Sequence, residues 1–195
     1  MAYRHYDTEG LIISHRNLGE ANRLYQILTL DFGLINVLAQ GVRHDRSKLR
    51  HHLENFSFAR LILVRGREFW RVVGANDLNL PGKPSREILS FLKKISLVLQ
   101  RLIHGEETNS PIYQDLKQAS LLLGDGDSQA KDCLVDLEIF IMVRILIKLG
   151  YLVPLPELKN IFSPPTFSWL EVGKVKDFKS LLIKQINQAL EVTQL

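Results

Sequence analysis

The densest concentration of functional groups in the sequence is the run Gln40-Gly41-Val42-Arg43-His44-Asp45-Arg46-Ser47-Lys48-Leu49-Arg50-His51-His52. It carries four fixed positive charges, one negative charge and three His. Each Lys or Arg can neutralise one phosphate and release a counterion, which draws in a polyanion without regard to its sequence. A solvated surface loop is the plainer reading of such a run, and its place in the fold must decide between the two. Arg23 lies upstream, and Arg60, Arg65, Arg67 and Arg71 lie downstream. Aromatic rings are the second ingredient of single-strand binding, because bases stack on them. Among Tyr3, Tyr6, Tyr25, Phe32, Phe56, Phe58, Phe69 and Trp70, most are expected in a core, with Phe56 and Phe58 on one strand face. Tyr25 and Trp70 are the candidates for an exposed platform.

Covalent chemistry finds little support. No G-x-S-x-G, H-E-x-x-H or phosphate-loop pattern occurs. Cys133 is expected as a structural thiol on a central helix. His51 and His52 point about 100° apart on a helix, and no Cys or further His pattern completes a metal site. Gly124-Asp125-Gly126-Asp127 reads as a turn too short for a calcium loop. Asp125, Asp127 and Asp132 are the only acidic crowd that a metal-dependent hydrolase could use. The expectation is a non-enzymatic protein with no cofactor, no metal and no small-molecule substrate.

The elements that must position the basic run change character near Leu80-Pro81-Gly82-Lys83-Pro84. Before it the chain reads as five short strands, at about 4–15, 22–30, 34–40, 56–65 and 69–74. A short helix over 47–54, with Ser47 as N-cap, stands between the third and fourth. Five strands with that helix follow the plan of an OB barrel, whose closure removes exposed edges. OB barrels bind single strands across their second and third strands and the adjoining loops, and the basic run leaves the third strand. After Pro84 the apolar spacing is helical. One helix runs from Ser85 to about His104, with Ile88, Leu92, Ile95, Leu99 and Leu102 on one face. A second starts at Ser110-Pro111 and ends near Leu123. A third, capped by Ser128, reaches Leu149 and is apolar around most of its axis, so it belongs mid-bundle. Residues 151–168 are Pro-rich and irregular, and a last helix covers about 174–192. The fold class is α+β: a five-stranded OB barrel over 1–80, then an all-α helical bundle over 81–195 for partner docking.

Composition sets the outer bounds. The chain has 195 residues, 46% of them hydrophobic and 24% charged, an ordinary globular balance. Its net charge of +4 is modest. Residues 1–81 hold 11 basic and 8 acidic side chains, and five of the six His, so the positive field is concentrated there. One Cys excludes an intrachain disulfide or Cys-built zinc site and points to a reducing compartment. Met1–Gly10 is polar rather than signal-like, and no stretch free of Asp, Glu, Lys and Arg exceeds 11 residues, so a soluble cytoplasmic protein without membrane partners is expected.

The N-terminal pattern resembles a known family. Thr8-Glu9-Gly10-Leu11-Ile12-Ile13 and Leu18-Gly19-Glu20-Ala21-Asn22-Arg23-Leu24 are similar to the opening of RecO recombination mediators. Leu28-Thr29, Phe32 to Arg43, Ser47-Lys48-Leu49-Arg50 and Leu53-Glu54-Asn55-Phe56-Ser57 continue the likeness in register, and Gly150-Tyr151-Leu152-Val153-Pro154 echoes it later. The resemblance covers 3–76 well and 80–160 loosely. It implies an OB barrel and a helical domain, and binding to single- and double-stranded DNA. It also implies annealing of complementary strands and help in loading RecA. The partners it implies are RecR and the acidic C-terminal tail of single-stranded-DNA-binding protein, in a bacterial cytoplasm with nucleoid association during activity.

Two departures stand out. Many members carry a four-Cys zinc module after the Gly-Tyr-x-Pro segment, whereas 151–169 holds no Cys and has Ser163-Pro164-Pro165 instead. Family cations near the third strand fall at Leu34, Asn36 and Gln40, all uncharged here. DNA contact is then expected at Arg43, Arg46, Lys48 and Arg50, with Arg23, Tyr25, Arg65, Arg67, Trp70 and Arg71 beside them. A tail that is acidic with an apolar end requires a pocket rimmed by cations, for which Lys93, Lys94, Arg144 and Lys148 are the candidates, although an internally paired or snorkelling Arg144 is the plainer reading. The other reading is an interaction adaptor whose barrel no longer binds DNA.

Overall fold

The structure is a computed structural model that describes residues 4–78, 86–103, 105–124 and 133–193. It divides into two compact units, Met1–Leu80 with Ile103–Tyr113, and Pro81–Leu102 with Gln114–Leu195.

In the first unit the strands β1 (His5–Leu18), β2 (Asn22–Thr29), β3 (Gly33–Ala39), β4 (Phe58–Arg65) and β5 (Trp70–Asp77) close into a barrel in the order β1-β2-β3-β5-β4. The β3–β5 pair that closes it is parallel and short, Val37↔Trp70 and Leu38↔Arg71. Inside lie Ile12, Tyr25, Ile27, Ile35, Val37, Leu61, Leu63, Trp70 and Val72, with Val42 and Leu53 from the β3–β4 connection. Leu53 follows a 3₁₀ turn over Lys48–His52, shorter than the helix expected there, and Ser47 makes no side-chain cap. Leu49 and Leu53 face the core, which turns the basic residues between them outward.

Leu11-Ile12-Ile13, Ile27-Leu28 and Leu34-Ile35 are apolar at consecutive rather than alternate positions. Consecutive apolar residues in a strand mean that both faces are buried. The register explains them: Leu34 pairs with Leu28, Leu28 with Leu11, and Leu11 with Phe58. These four are buried on the outward side of the barrel, and Phe58 packs edge-on against Tyr113. Phe56, expected on a strand face with Phe58, instead sits in the preceding turn at φ 68°.

Residues 105–113 return to the barrel after the first helix. Thr108 Oγ1 donates to the Asp31 carbonyl (3.0 Å), and Tyr113 donates its hydroxyl to Glu9 Oε2 (3.1 Å). Gly33, at φ 68°, lies so close to Glu107 that a Cβ would overlap the Glu107 backbone. The β2–β3 turn therefore requires glycine for two reasons, its left-handed backbone and the strap passing over it.

The second unit is helical: α1 (Arg86–Leu102), α2 (Ser110–Gly124, whose first turn belongs to the barrel unit), α3 (Leu134–Lys148), and the shorter α4 (Lys159–Phe162), α5 (Trp169–Gly173) and α6 (Lys179–Val192). Alpha-helix α1 buries Leu92, Ile95, Leu99 and Leu102, as its spacing requires. Ten residues of α3, from Asp136 to Leu146, are buried, in keeping with its mid-bundle sequence. Cys133 lies just before α3 and is half-buried, rather than inside the helix. The expected cap Ser128, and Asp125, Asp127 and Asp132, lie outside the described residues. The Pro-rich segment is less irregular than its composition suggests, with a 3₁₀ turn at Pro156–Leu158 running into α4. A capping box at Ser168 and Glu171 starts α5: Leu170 N–H donates to Ser168 Oγ (3.2 Å) and Ser168 N–H to Glu171 Oε2 (2.8 Å). The Ser168 hydroxyl also donates to Glu171 Oε2 (2.6 Å), and that bond first, then the Ser168 N–H, holds the Glu171 carboxyl below the usual carboxylate range. A 3₁₀ turn over Lys174–Phe178 precedes α6, so the last helix is later and shorter than expected.

Candidate nucleic-acid interface

The basic run leaves β3 and is fastened beside the β1–β2 turn. Gly41 N–H donates to Asn22 Oδ1 (2.9 Å), Arg43 N–H to the Ala21 carbonyl (3.0 Å) and Arg43 Nη1 to the Gly19 carbonyl (2.9 Å). Three bonds to one turn fix where the loop starts, so its cations are presented on a built surface. Arg43, Arg46, Lys48 and Arg50 are all exposed. Arg50 meets Asp45 at 3.4 Å, with Asp45 99% exposed, an ion pair that solvent screens almost fully. Arg43, Arg46 and Lys48 make no ion pair among the described residues.

The register carries this surface sideways. Leu38 pairs with Leu24 on β2 and with Arg71 on β5, and Arg71 pairs with Val64 on β4. Arg71 is thus two strands from Leu24, about 10 Å at ordinary strand spacing. Arg65, Arg67 and Arg71 line an open groove of about 670 Å³ at the β4–β5 turn, with Leu38, Gly66, Glu68 and Phe69. Gly66 N–H donates to the Phe69 carbonyl and closes that turn. Arg23 is half-buried at the start of β2, its Nε 3.4 Å from Asn17 Oδ1. Arg60 stands apart in an exposed two-bond pair with Asp7 (2.9 and 3.0 Å), which holds the Asp7 carboxyl below the usual range.

The structure corrects the aromatic platform. Tyr25 is 0% exposed and Trp70 is 3% exposed; neither can stack on a base as it stands. Tyr25 points into the barrel, its ring 5.3 Å from His15. Trp70 packs on Tyr6 (5.2 Å) and Phe32 (5.0 Å) at the short β3–β5 closure. A five-stranded barrel has little interior, and these two large rings take up much of it. Of the expected cation positions, Asn36 and Gln40 are exposed, whereas Leu34 belongs to the buried outward row. A charge at Leu34 would be buried without a partner, which is a physical reason for its apolar character.

Sequence reasoning missed Glu106. Its carboxylate takes Arg65 Nη1 at 2.7 Å and Trp70 Nε1 at 3.1 Å, and the Arg65 guanidinium lies 4.9 Å from the Trp70 ring centre. Nothing local to Glu106 signals this, because its partners are 41 and 36 residues away.

In the helical unit, Lys93 is exposed and Lys94 pairs with Glu138 at 2.8 Å. Arg144 is no rim residue. It is 2% exposed and donates two bonds to Asp115 (2.8 and 2.7 Å), with Nη1 reaching the carbonyls of Phe162 and Pro164 (2.8 Å each). Phe140 and Phe167 flank it at 5.7 and 5.3 Å. Lys148 completes the cluster 2.5 Å from Asp115; burial holds its ammonium below the ordinary value, and Asp115 partly restores it. Among the described residues no group of His, Cys, Asp and Glu is arranged to hold a metal, and no helix is long and apolar enough to cross a membrane.

This architecture is an OB-like barrel followed by a helical region. Residues 1–79 match the family model described as Recombination protein O N terminal. The DNA repair protein RecO of Dehalococcoides mccartyi is 30% identical over 143 residues, 70% of this chain and 54% of that protein. The RecO of Gloeothece citriformis is 38% identical over 115 residues, 58% of this chain and 41% of that protein. The RecO of Trichodesmium erythraeum is 40% identical over 73 residues, 37% of this chain and 25% of that protein. The chain is therefore of RecO type, and it spans about half the length of the curated relatives it matches.

Proposed function

We propose that this protein acts in DNA repair and homologous recombination by holding single- and double-stranded DNA through backbone phosphates, without reading sequence. The observation that carries the reading is the exposed run Arg43, Arg46, Lys48 and Arg50, fastened to the β1–β2 turn by three hydrogen bonds. Cations on a fixed loop meet phosphates without first being ordered, so less of the attraction is lost to side-chain and loop entropy. Arg65, Arg67 and Arg71 extend the track. Bringing two strands onto one such surface lowers their mutual repulsion, which is the physical requirement for annealing. Assistance to RecA loading follows as a role for a protein that holds strands in this way. The helical unit is the place for protein partners, RecR and the tail of single-stranded-DNA-binding protein, with exposed Lys93 and Lys94 as candidate contact cations. The protein catalyses no covalent step in this reading, requires no cofactor and works in the bacterial cytoplasm at the nucleoid.

A titration of fluorescent single-stranded DNA against salt tests it. Changing Arg43, Arg46, Lys48 and Arg50 together to Ala should weaken binding to all sequences alike. It should also flatten the log–log salt slope by up to about 3, at about 0.7 per phosphate contact on a single strand. Binding that is indifferent to salt, or a variant that binds as well as the parent, overturns the assignment. The uncharged Asn36 and Gln40 and the engaged Arg65 favour a second reading, an interaction adaptor whose barrel has lost DNA. Capture of a partner by a protein with no measurable DNA affinity would select it.

A further inference from the structure

The Glu106 carboxylate occupies an anion site. Two donors from different strands, Arg65 Nη1 at the end of β4 and Trp70 Nε1 at the start of β5, converge on its two oxygens at 2.7 and 3.1 Å. A phosphodiester offers the same thing, two equivalent oxygens on one centre. Arg65 also lines the groove at the β4–β5 turn with Arg67 and Arg71, so the donor that Glu106 holds belongs as well to that basic surface. Trp70 has its ring packed on Tyr6 and Phe32, and only its N–H edge is offered. The side chains of Arg65 and Glu106 are 59% and 45% exposed, so their pair is of the kind that solvent and competing ions displace easily.

The strap that delivers Glu106 is built to let it go. Residues 107–109 are pinned, by the close pass over Gly33, by Thr108 to Asp31 and by Asn109 Nδ2 to the Glu107 carbonyl (2.8 Å). On the other side of Glu106 stands Gly105 at φ 80°, with no atom within 4 Å of where a Cβ would sit. Glu106 can therefore swing away while the rest of the strap stays in place.

We infer that Glu106 is an internal stand-in for a nucleic-acid phosphate: it fills the Arg65–Trp70 site in the free protein and is displaced when a strand enters the β4–β5 groove. The inference rests on the proposed DNA binding and deepens it. Glu106 then sets a threshold that a polyanion with several phosphates passes and a single small anion does not. The strand gains the Arg65 and Trp70 donors only by competing for them.

Binding of a fluorescent oligo-dT to the full chain tests this, comparing Glu106→Gln with Glu107→Gln. Both remove one negative charge from the same strap, so a general field effect moves them equally. Displacement predicts that Glu106→Gln binds about fivefold tighter than Glu107→Gln, the scale of one surface ion pair. It also predicts that oligo-dT shifts the Trp70 indole N–H resonance of the parent, assigned by its persistence in Trp169→Phe, whereas inorganic phosphate at matched phosphate concentration leaves it in place. Equal affinities for the two variants, or an unmoved Trp70 resonance at saturating oligo-dT, overturn the inference while DNA binding stands. If neither parent nor Glu106→Gln binds oligo-dT, the DNA reading falls and the inference falls with it.

Discussion

Replacing Arg144 with Met keeps most of the stem's volume and removes the guanidinium from the interior of the helical unit. Arg144 and Asp115 are 2% and 1% exposed, so their charges are compensated by each other and not by water. The substitution leaves the Asp115 carboxylate with Lys148 alone and strips a donor from the Phe162 and Pro164 carbonyls. Breaking a buried pair by removing one partner costs about 3–5 kcal/mol. The two carbonyls add about 1 kcal/mol each where water does not reach them, and the surviving Lys148 offsets a similar amount. About 4 kcal/mol is the expected loss. At a urea slope of about 2 kcal/mol per molar, the midpoint should fall by about 2 M.

The assay is urea unfolding of the full chain followed by far-UV ellipticity, which reports mainly the helical unit. A double-mutant cycle sharpens it. Asp115→Leu alone strands Arg144, whereas Arg144→Met with Asp115→Leu removes both charges of the pair. The double variant should lose at least about 2 kcal/mol less than the sum of the singles, because removing both ends of a buried pair leaves no uncompensated charge in that pair. A midpoint shift under about 0.5 M, or additive singles, would refute the view that this cluster is a dry, mutually compensated network.

Two further predictions concern the barrel unit. Gly19 and Gly33 share a left-handed backbone, φ 66° and 68°, but only Gly33 has a neighbour where a Cβ would go. Gly19→Ala should cost about 1 kcal/mol for its φ, and Gly33→Ala at least about 3 kcal/mol, once overpacking against Glu107 is added; equal losses in denaturant titration would show that the strap does not lie on the turn. Tyr113 is buried against Glu9 and Asp31, and burial first, then the Glu9 charge, pushes its hydroxyl well above the ordinary value. The unfolded chain therefore releases this proton near pH 10 while the fold retains it, so stability is full below that pH and falls as pH rises above it. Tyr113→Phe should lessen that alkaline fall in a series of melts from pH 8 to 11, and an unchanged profile would remove Tyr113 as its cause.

The strands were legible because their apolar positions, and the glycines at 33, 41 and 66, punctuate the chain at strand length. Outward burial is written in the sequence too, in the consecutive apolar pairs of β1, β2 and β3, but what covers that outer face comes from residues 105–113, far along the chain. Leu34 shows the consequence. As a third-strand residue it looked like a missing cation, and as a neighbour of Leu28 it is a packing residue. The 3₁₀ turn at Lys48–His52 is shorter than its composition suggests, because the backbone leaves helical geometry at Leu53, which turns into the barrel core.

The basic loop was legible and the aromatic platform was not, and the difference is physical. A cation in a loop stays outside almost wherever the loop goes, since burying it unpaired is too costly. A tryptophan has no such constraint: Trp70 serves equally as a plug or as a platform, and which it becomes depends on the rings of Tyr6 and Phe32, 64 and 38 positions away. Arg144 marks the limit of the rule about cations. It interrupts an apolar run on α3, and a surface rim was one explanation. Its burial is possible only because Asp115, on a different helix, and two carbonyls of the Pro-rich segment meet it together. Two segments distant from α3 in sequence converge on its guanidinium, so the segment that looked least structured in sequence is fixed by a buried charge. Charge placement can thus be read locally at a surface, where water compensates every group, and only globally in an interior, where another part of the chain must.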